Sequence, residues 1–102
     1  MKNLKASAQE VLRRIERNRG AIRRYSVKRI GLFGSTARGK ARKNSDLDFL
    51  VAFERETFDN YMGLKFYLED LFHKKVDLVM TGALKKRLEG AILSEVKYVQ
   101  GF

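Results

Sequence analysis

Cysteine and proline are both absent from this 102-residue sequence. Without cysteine the chain has no disulfide framework and no thiolate metal site, and without proline it has no proline-rich linker. No apolar run approaches the roughly 20 residues that a membrane-spanning helix needs. The basic N-terminus lacks the apolar core of an export signal, so the sequence predicts a cytoplasmic protein with no membrane partner.

The length of the chain predicts one domain, spanning residues 1–102. Apolar residues make up 44% of the sequence, which argues against disorder. A domain of this size buries a modest core and leaves little room for a second function.

Positive charge is concentrated in the first half of the chain. The net charge is +10, and residues 1–43 contain 14 of the 22 Lys and Arg residues but only two acids, Glu10 and Glu16. A basic half suggests a polyanionic partner such as a nucleic acid or a phosphate compound. A solvated, arginine-rich helix face would give the same distribution, so charge alone does not decide between the two.

Hydrophobic periodicity predicts that helices and strands alternate along the chain. The predicted elements, in chain order, are a helix over 4–24, a strand over 27–33, a short helix after the Gly34-Ser35 turn, a strand over 47–53, a helix over 58–73 capped by Thr57, a strand over 76–80, a helix from Thr81 to Glu95 and a strand over 96–99. This order predicts an α/β (α+β) fold, with helices packed on a small mixed sheet of about four strands.

Two aspartates, Asp46 and Asp48, lie at the start of the second predicted strand. Alternate side chains of a strand share a face, so both carboxylates point the same way, about 7 Å apart. Two carboxylates on one face repel each other unless a positive charge lies between them. Mg²⁺ prefers oxygen ligands, and such a pair suits the two ions that in-line phosphoryl displacement uses. The alternative is a polar turn in which Asp46 caps the strand.

The Gly34-Ser35 turn supplies a complementary anion site. A glycine-led turn into a helix directs unpaired backbone N–H groups, and the positive end of the helix dipole, at one point. Glycine lets a phosphate approach the backbone closely, and the Ser35 hydroxyl can donate one more hydrogen bond. The sequence therefore predicts that a phosphate cradle and a cation site face each other across one cleft.

A third carboxylate, Asp77, lies within the apolar strand over 76–80. An acid in such a strand is costly unless it has a partner. If this strand pairs beside residues 47–53, Asp77 completes the metal site, and it can also accept a proton from an attacking hydroxyl. A surface salt bridge on an edge strand is the alternative.

Gly34-x₄-Gly39-Lys40 is a near match to the phosphate loop of P-loop NTPases, which ends in Gly-Lys-Ser/Thr. Position 41 is alanine, so the hydroxyl that would hold Mg²⁺ is missing.

The single histidine, His73, lies beside two lysines and is interpreted as a residue of a helix C-terminus rather than a ligand.

The residues quoted above match a family signature: Gly-Ser, ten residues, then Asp-x-Asp. This is the signature of the nucleotidyltransferase fold related to DNA polymerase β. The finer pattern, Gly-Ser-x-Ala-Arg-Gly followed by Ser-Asp-x-Asp, resembles the minimal nucleotidyltransferase (MNT) family of bacteria and archaea. The resemblance covers nearly the whole chain and implies an enzyme that transfers a nucleoside monophosphate from ATP or another NTP.

The resemblance also implies site roles. In this family the first two aspartates bind both Mg²⁺ ions, which gives that role to Asp46 and Asp48, and the third binds one ion, which gives that role to Asp77. The Gly-Ser pair holds the triphosphate, which corresponds to Gly34 and Ser35. A further nucleotide-binding residue comes from the basic segment after the turn, where Arg38 is favoured over Lys40, Arg42 and Lys43 because it belongs to the Ala-Arg-Gly pattern.

Many MNT proteins are paired with a small helical HEPN-type toxin and resemble antitoxins that transfer AMP to it. The acceptor implied by this resemblance is a tyrosine of a HEPN-like partner. Two other functions stay open at this point. One is an inactive antitoxin that neutralises its partner by contact, and the other is a nucleic-acid-binding domain that uses the arginine-rich first helix. The sequence also leaves homo- or hetero-oligomers open.

Overall fold

The computed structural model describes residues 7–102, which begin with two helices in place of the single predicted one. Helix α1 spans Ala8–Arg17 and helix α2 spans Arg19–Arg23. The Ser7 hydroxyl caps α1 by accepting a hydrogen bond from the Glu10 N–H at 3.1 Å. The prediction of one helix over 4–24 is wrong at Asn18, whose side-chain amide donates to the Arg14 carbonyl at 2.8 Å and competes with the helical pattern. Residues 4–6 of that prediction lie outside the described residues.

Four strands form one mixed sheet in the order β3-β2-β1-β4. The strands are β1 (Val27–Phe33), β2 (Leu47–Phe53), β3 (Val76–Met80) and β4 (Lys97–Tyr98). Strand β1 runs antiparallel to both of its neighbours, whereas β2 and β3 are parallel. The predicted small mixed sheet is confirmed, with β4 shorter than predicted.

Three more helices connect these strands: α3 (Gly34–Ala37), α4 (Phe58–Phe72) and α5 (Lys86–Glu95). The predicted Thr57 cap is confirmed, since its hydroxyl accepts from the Asn60 N–H at 3.0 Å. His73 ends α4 in a left-handed conformation with φ of 53°. The prediction that Thr81 begins the last helix is wrong. Residues Thr81–Ala83 form one 3₁₀ turn, and extended backbone at Leu84 and Lys85 separates it from α5.

The core lies between one face of the sheet and helices α1, α2 and α4. Phe49 of β2 stacks on Phe72 of α4 with ring centroids 6.0 Å apart. Leu50, which points to the opposite face of β2, is also fully buried, so this strand is covered on both faces as its apolar density predicts. Within residues 7–102, no helix is both long and apolar enough to cross a membrane.

Candidate functional site

The register of the parallel pair β2–β3 places Asp48 directly opposite Asp77. Neighbouring strands lie about 4.8 Å apart, so these two acids occupy adjacent positions at the same end of the sheet. Asp46 is exposed in the segment that enters β2. Asp77 is exposed and forms no ion pair with any of residues 7–102, so a surface salt bridge does not explain it.

The oxygen donors of these three aspartates fit the preference of Mg²⁺, but their side chains do not converge. Within residues 7–102, no three His, Cys, Asp or Glu side chains are arranged closely enough to hold a metal ion. Repulsion between like charges favours separation of these carboxylates when no cation lies between them. The pKa of Asp48 is raised to about 6, first by burial and then by repulsion from the nearby Asp77 and Asp46.

The raised pKa of Asp48 leads to a prediction about stability in metal-free buffer. The pKa is about 6 in the folded protein against an ordinary 3.8, so the folded state resists ionisation and loses stability as pH rises from 4 through 6. Asp48→Asn removes this penalty. We expect urea unfolding to show the variant more stable than wild type at pH 8, by about 1 kcal/mol after allowance for partial exposure, and the gain to disappear near pH 4.

A matched control for this measurement is Asp70→Asn, which neutralises an exposed acid on α4. We expect little pH-dependent change from that substitution. Equal stability of Asp48→Asn and wild type at pH 8 would show that the buried charge carries no penalty, and would remove the electrostatic reason for a cation at this position.

The Gly34 turn touches the aspartate site directly. Gly34 has φ of 79°, and a Cβ atom at this position would lie 2.1 Å from Asp48 Oδ2. Only glycine combines this backbone conformation with so close an approach. The turn leads into α3, and Ser35 is half-buried beside it. The Gly34 turn, predicted to hold phosphate, therefore lies against Asp48, one of the three residues predicted to hold a cation.

Sequence reasoning missed one residue of this site, Glu95, the last residue of α5. Its Oε2 accepts a hydrogen bond from the Gly34 N–H at 2.8 Å. Arg38 Nη1 donates to both Glu95 oxygens, at 3.1 and 3.2 Å. Arg38 is therefore beside the turn, as its predicted role requires. The one local signal for Glu95 is an acid at a helix C-terminus, where the helix dipole disfavours negative charge.

A second missed residue, Lys74, holds the loop that leads to Asp46. Its ammonium donates to the carbonyl of Lys43 at 2.8 Å and to that of Ser45 at 3.3 Å. The other basic side chains of this loop, Lys40, Arg42 and Lys43, are exposed. The loop is thus fixed through its backbone carbonyls, which the residue pattern does not reveal.

The structure also decides against a P-loop. In a P-loop the Gly-Lys pair leads into a helix whose N–H groups hold phosphate. Here helix α3 precedes Gly39 and Lys40 instead, and the residues from 40 to 46 contain no helix. The near match to the P-loop pattern is therefore coincidental.

Comparison with known proteins gives consistent similarities in sequence and in fold. Residues 12–99 match the nucleotidyltransferase domain family. The chain is 44% identical, over 74% of its length and 78% of the relative, to the protein adenylyltransferase MntA of Thermococcus cleftensis. A solved structure of a minimal nucleotidyltransferase superposes with a TM-score of 0.77 at 38% identity, covering 90% of this chain and 95% of the other.

A further solved structure, a toxin–antitoxin complex with AMP-PNP, superposes with a TM-score of 0.68 at 24% identity, over 85% of this chain and 73% of the other. At that identity the similarity concerns the fold alone. Most of this chain therefore shares the architecture of one chain of that complex.

Proposed function

Because this chain belongs to the nucleotidyltransferase domain family, we propose that it is an Mg²⁺-dependent protein adenylyltransferase that transfers AMP from ATP to a hydroxyl group. The observation that carries this proposal is the contact between its two half-sites. Asp48 lies opposite Asp77 in the sheet and against the Gly34 turn. Asp48, a residue suited to a cation, thus lies next to both a second carboxylate and the turn suited to a triphosphate.

Each side chain has a role in this proposal. Asp46 and Asp48 hold two Mg²⁺ ions, and Asp77 holds one of them and orients the acceptor oxygen. Bound Mg²⁺ neutralises charge on the phosphate oxygens and favours in-line displacement. The N–H of Gly34, the hydroxyl of Ser35 and the guanidinium of Arg38 bind the β- and γ-phosphates.

The bond changes balance without any further reactant. The acceptor oxygen forms a bond to the α-phosphorus, and the bond from that phosphorus to the bridging oxygen of the β-phosphate breaks. Pyrophosphate leaves, and the proton of the hydroxyl is released. Catalysis comes mainly from positioning and charge neutralisation, because this reaction needs no covalent intermediate with the protein.

The proposed acceptor is a tyrosine of a HEPN-like toxin, which would make this chain an antitoxin. The support is the 44% identity to a protein adenylyltransferase, together with a fold shared with a chain of each of two solved toxin–antitoxin complexes. Asp46 and Asp77 are exposed and Asp48 is only partly buried, so the aspartates are open to solvent. An acceptor carried by another protein fits such a site.

Label transfer tests this proposal. The protein is incubated with a HEPN-type toxin and Mg²⁺, with ATP labelled at either the α- or the γ-phosphorus. We expect the toxin to retain the α-label only, and EDTA to prevent transfer. Retention of the γ-label would indicate a kinase. Neutralisation of the toxin without any label would instead indicate an antitoxin that acts by contact.

The basic half of the chain leads to a prediction about docking. Arg13 and Arg17 are exposed on α1, whereas Arg14 donates to the Leu71 carbonyl at 3.2 Å and lies over the Phe72 ring. Reversing the charge of Arg13 and Arg17 should therefore test docking without disturbing the core. We expect Arg13→Glu and Arg17→Glu to slow association with an acidic partner surface by about threefold to tenfold at low salt, as measured by biolayer interferometry.

The control for docking is Arg55→Glu, the same charge reversal in the less basic part of the chain. The difference in association rate between wild type and the α1 variants should become smaller as salt rises, because the screening length falls to about 8 Å at physiological ionic strength. Nucleotide affinity should be unaffected by either α1 variant. Tight, sequence-specific retention of duplex DNA at physiological salt would instead favour a nucleic-acid-binding function.

A further inference from the structure

The Glu95 carboxylate makes the contacts that a phosphate group would make at the proposed nucleotide site. It accepts from the Gly34 N–H at 2.8 Å, and both of its oxygens accept from Arg38 Nη1, at 3.1 and 3.2 Å. A carboxylate and a phosphate both present anionic oxygens to the same kinds of donor. Two anions cannot share one N–H at this distance, so Glu95 and a triphosphate exclude each other from the turn.

We propose that Glu95 is a built-in competitor for the triphosphate, a carboxylate that occupies the Gly34–Arg38 donors until a nucleotide displaces it. This inference rests on the proposed function, because it takes those donors to be the phosphate-binding groups. Glu95 thereby lowers the affinity of the site for its nucleotide. It also accepts hydrogen bonds from Gly34 and Arg38 when no nucleotide is bound.

Three features make the contact easy to exchange for another anion. The side chain of Arg38 is 50% exposed and that of Glu95 is 25% exposed, and exposed ion pairs contribute little to stability. Glu95 is the last residue of α5, where the helix dipole disfavours its charge. Asp48 is a second acid beside Gly34, and repulsion between it and Glu95 disfavours the Glu95 contact.

The high exposure of helix α5 allows the Glu95 side chain to move. No residue of α5 is buried, and Leu88 and Leu93 on this helix are about half exposed, at 47% and 46%. A change in the Glu95 rotamer therefore requires no repacking of the core. The Glu95 side chain can leave the Gly34 N–H by rotation alone, while the backbone of α5 stays in place.

Calorimetric binding tests the competition. The ligands are ATP with Mg²⁺ and inorganic tripolyphosphate with Mg²⁺, and the proteins are wild type, Glu95→Ala and Glu95→Gln. We expect Glu95→Ala to bind both ligands about tenfold more tightly, a factor equivalent to roughly 1.4 kcal/mol. Glu95→Gln should show a smaller gain in the same direction, because an amide oxygen accepts a hydrogen bond more weakly than a carboxylate.

The matched control is Glu89→Gln, which removes the same charge from an exposed position of the same helix. Affinity should be unchanged in this variant, and an equal gain there would assign the effect to net charge and overturn the inference. Unchanged or weaker binding by both Glu95 variants would overturn it as well, as would the absence of tripolyphosphate binding in all four proteins. Thermal unfolding identifies any loss of fold in Glu95→Ala, in which case Glu95→Gln decides the question.

Tripolyphosphate separates this inference from the proposed function, because it contains no nucleoside to transfer. If label transfer to a toxin fails while both Glu95 variants still bind tripolyphosphate more tightly, the proposed reaction is wrong and the competition stands. If transfer occurs and the Glu95 variants bind no more tightly than wild type, the reaction stands and the competition is wrong.

Discussion

Asp46→Asn and Asp48→Asn should each reduce AMP transfer about a thousandfold or more, since each removes one anionic oxygen ligand from the proposed metal site. Both side chains keep their shape, so the fold should be retained. Asp48 occupies a partly buried position within β2 and Asp46 is exposed in front of it. Single-turnover label transfer at saturating Mg²⁺ measures the loss, and circular dichroism verifies the fold.

Asp77→Asn provides an internal comparison for these two variants. It should lose less activity, because Asp77 contributes to one ion and to orientation of the acceptor. Asp70→Asn, an exposed acid on α4, should transfer AMP at the wild-type rate. Turnover near normal in Asp46→Asn or Asp48→Asn would be incompatible with the two-metal assignment, and full activity in Asp77→Asn would remove that residue from the site.

Three strands of this fold were predictable because short segments rich in Val, Leu and other apolar residues mark them. The predicted ranges 27–33, 47–53 and 76–80 coincide with β1, β2 and β3. The α4 cap at Thr57 was predictable for a similarly local reason, since a threonine preceding an amphipathic stretch satisfies the first free N–H groups. Local patterns of this kind carry their information within a few residues.

Sequence reasoning fails where distant segments decide the outcome. Asn18, at the break between α1 and α2, accepts a hydrogen bond from the Tyr67 hydroxyl of α4 at 3.1 Å, and the apolar periodicity on either side does not reveal that contact. Glu95 reaches Gly34 across 61 positions of sequence, so no spacing rule connects them. Lys74 likewise binds a loop some thirty residues earlier. These contacts depend on how distant elements pack in the fold, which the sequence leaves undetermined.

The candidate site also combines features that local patterns reveal with features that depend on distant segments. The sequence identifies Asp46, Asp48 and Asp77 as unusual acids, but their proximity depends on a parallel pairing of β2 and β3. A shift of one residue in that register would turn Asp77 to the opposite face from Asp48. The burial of Val76 and Leu78 against the core fixes the register, so the packing of apolar neighbours sets the geometry of the acids.

Gly34→Ala should remove most of the Mg²⁺-dependent binding of ATP. The added Cβ would lie 2.1 Å from Asp48 Oδ2, 2.9 Å from its Cγ and 3.1 Å from its Cβ. Rotation of the carboxylate relieves only the first of these contacts, so the Asp48 side chain must move away from the turn. The Gly34→Ala change therefore displaces a proposed metal ligand and blocks the phosphate cradle at once. Calorimetric titration of ATP with Mg²⁺ measures the loss.

Gly39→Ala separates this effect from backbone strain. Gly39 also has a positive φ, of 74°, but a Cβ there would meet no atom within 4 Å. Its alanine variant should lose about 1 kcal/mol of folding stability and keep its ATP affinity, whereas Gly34→Ala should lose both.

Ser35→Ala, which deletes a single donor to a charged group, should weaken ATP binding by roughly 1.5–3 kcal/mol. Equal ATP affinities in wild type, Gly34→Ala and Ser35→Ala would contradict the phosphate cradle. Equal losses in Gly34→Ala and Gly39→Ala would show that strain in the turn, rather than the contact with Asp48, governs nucleotide binding.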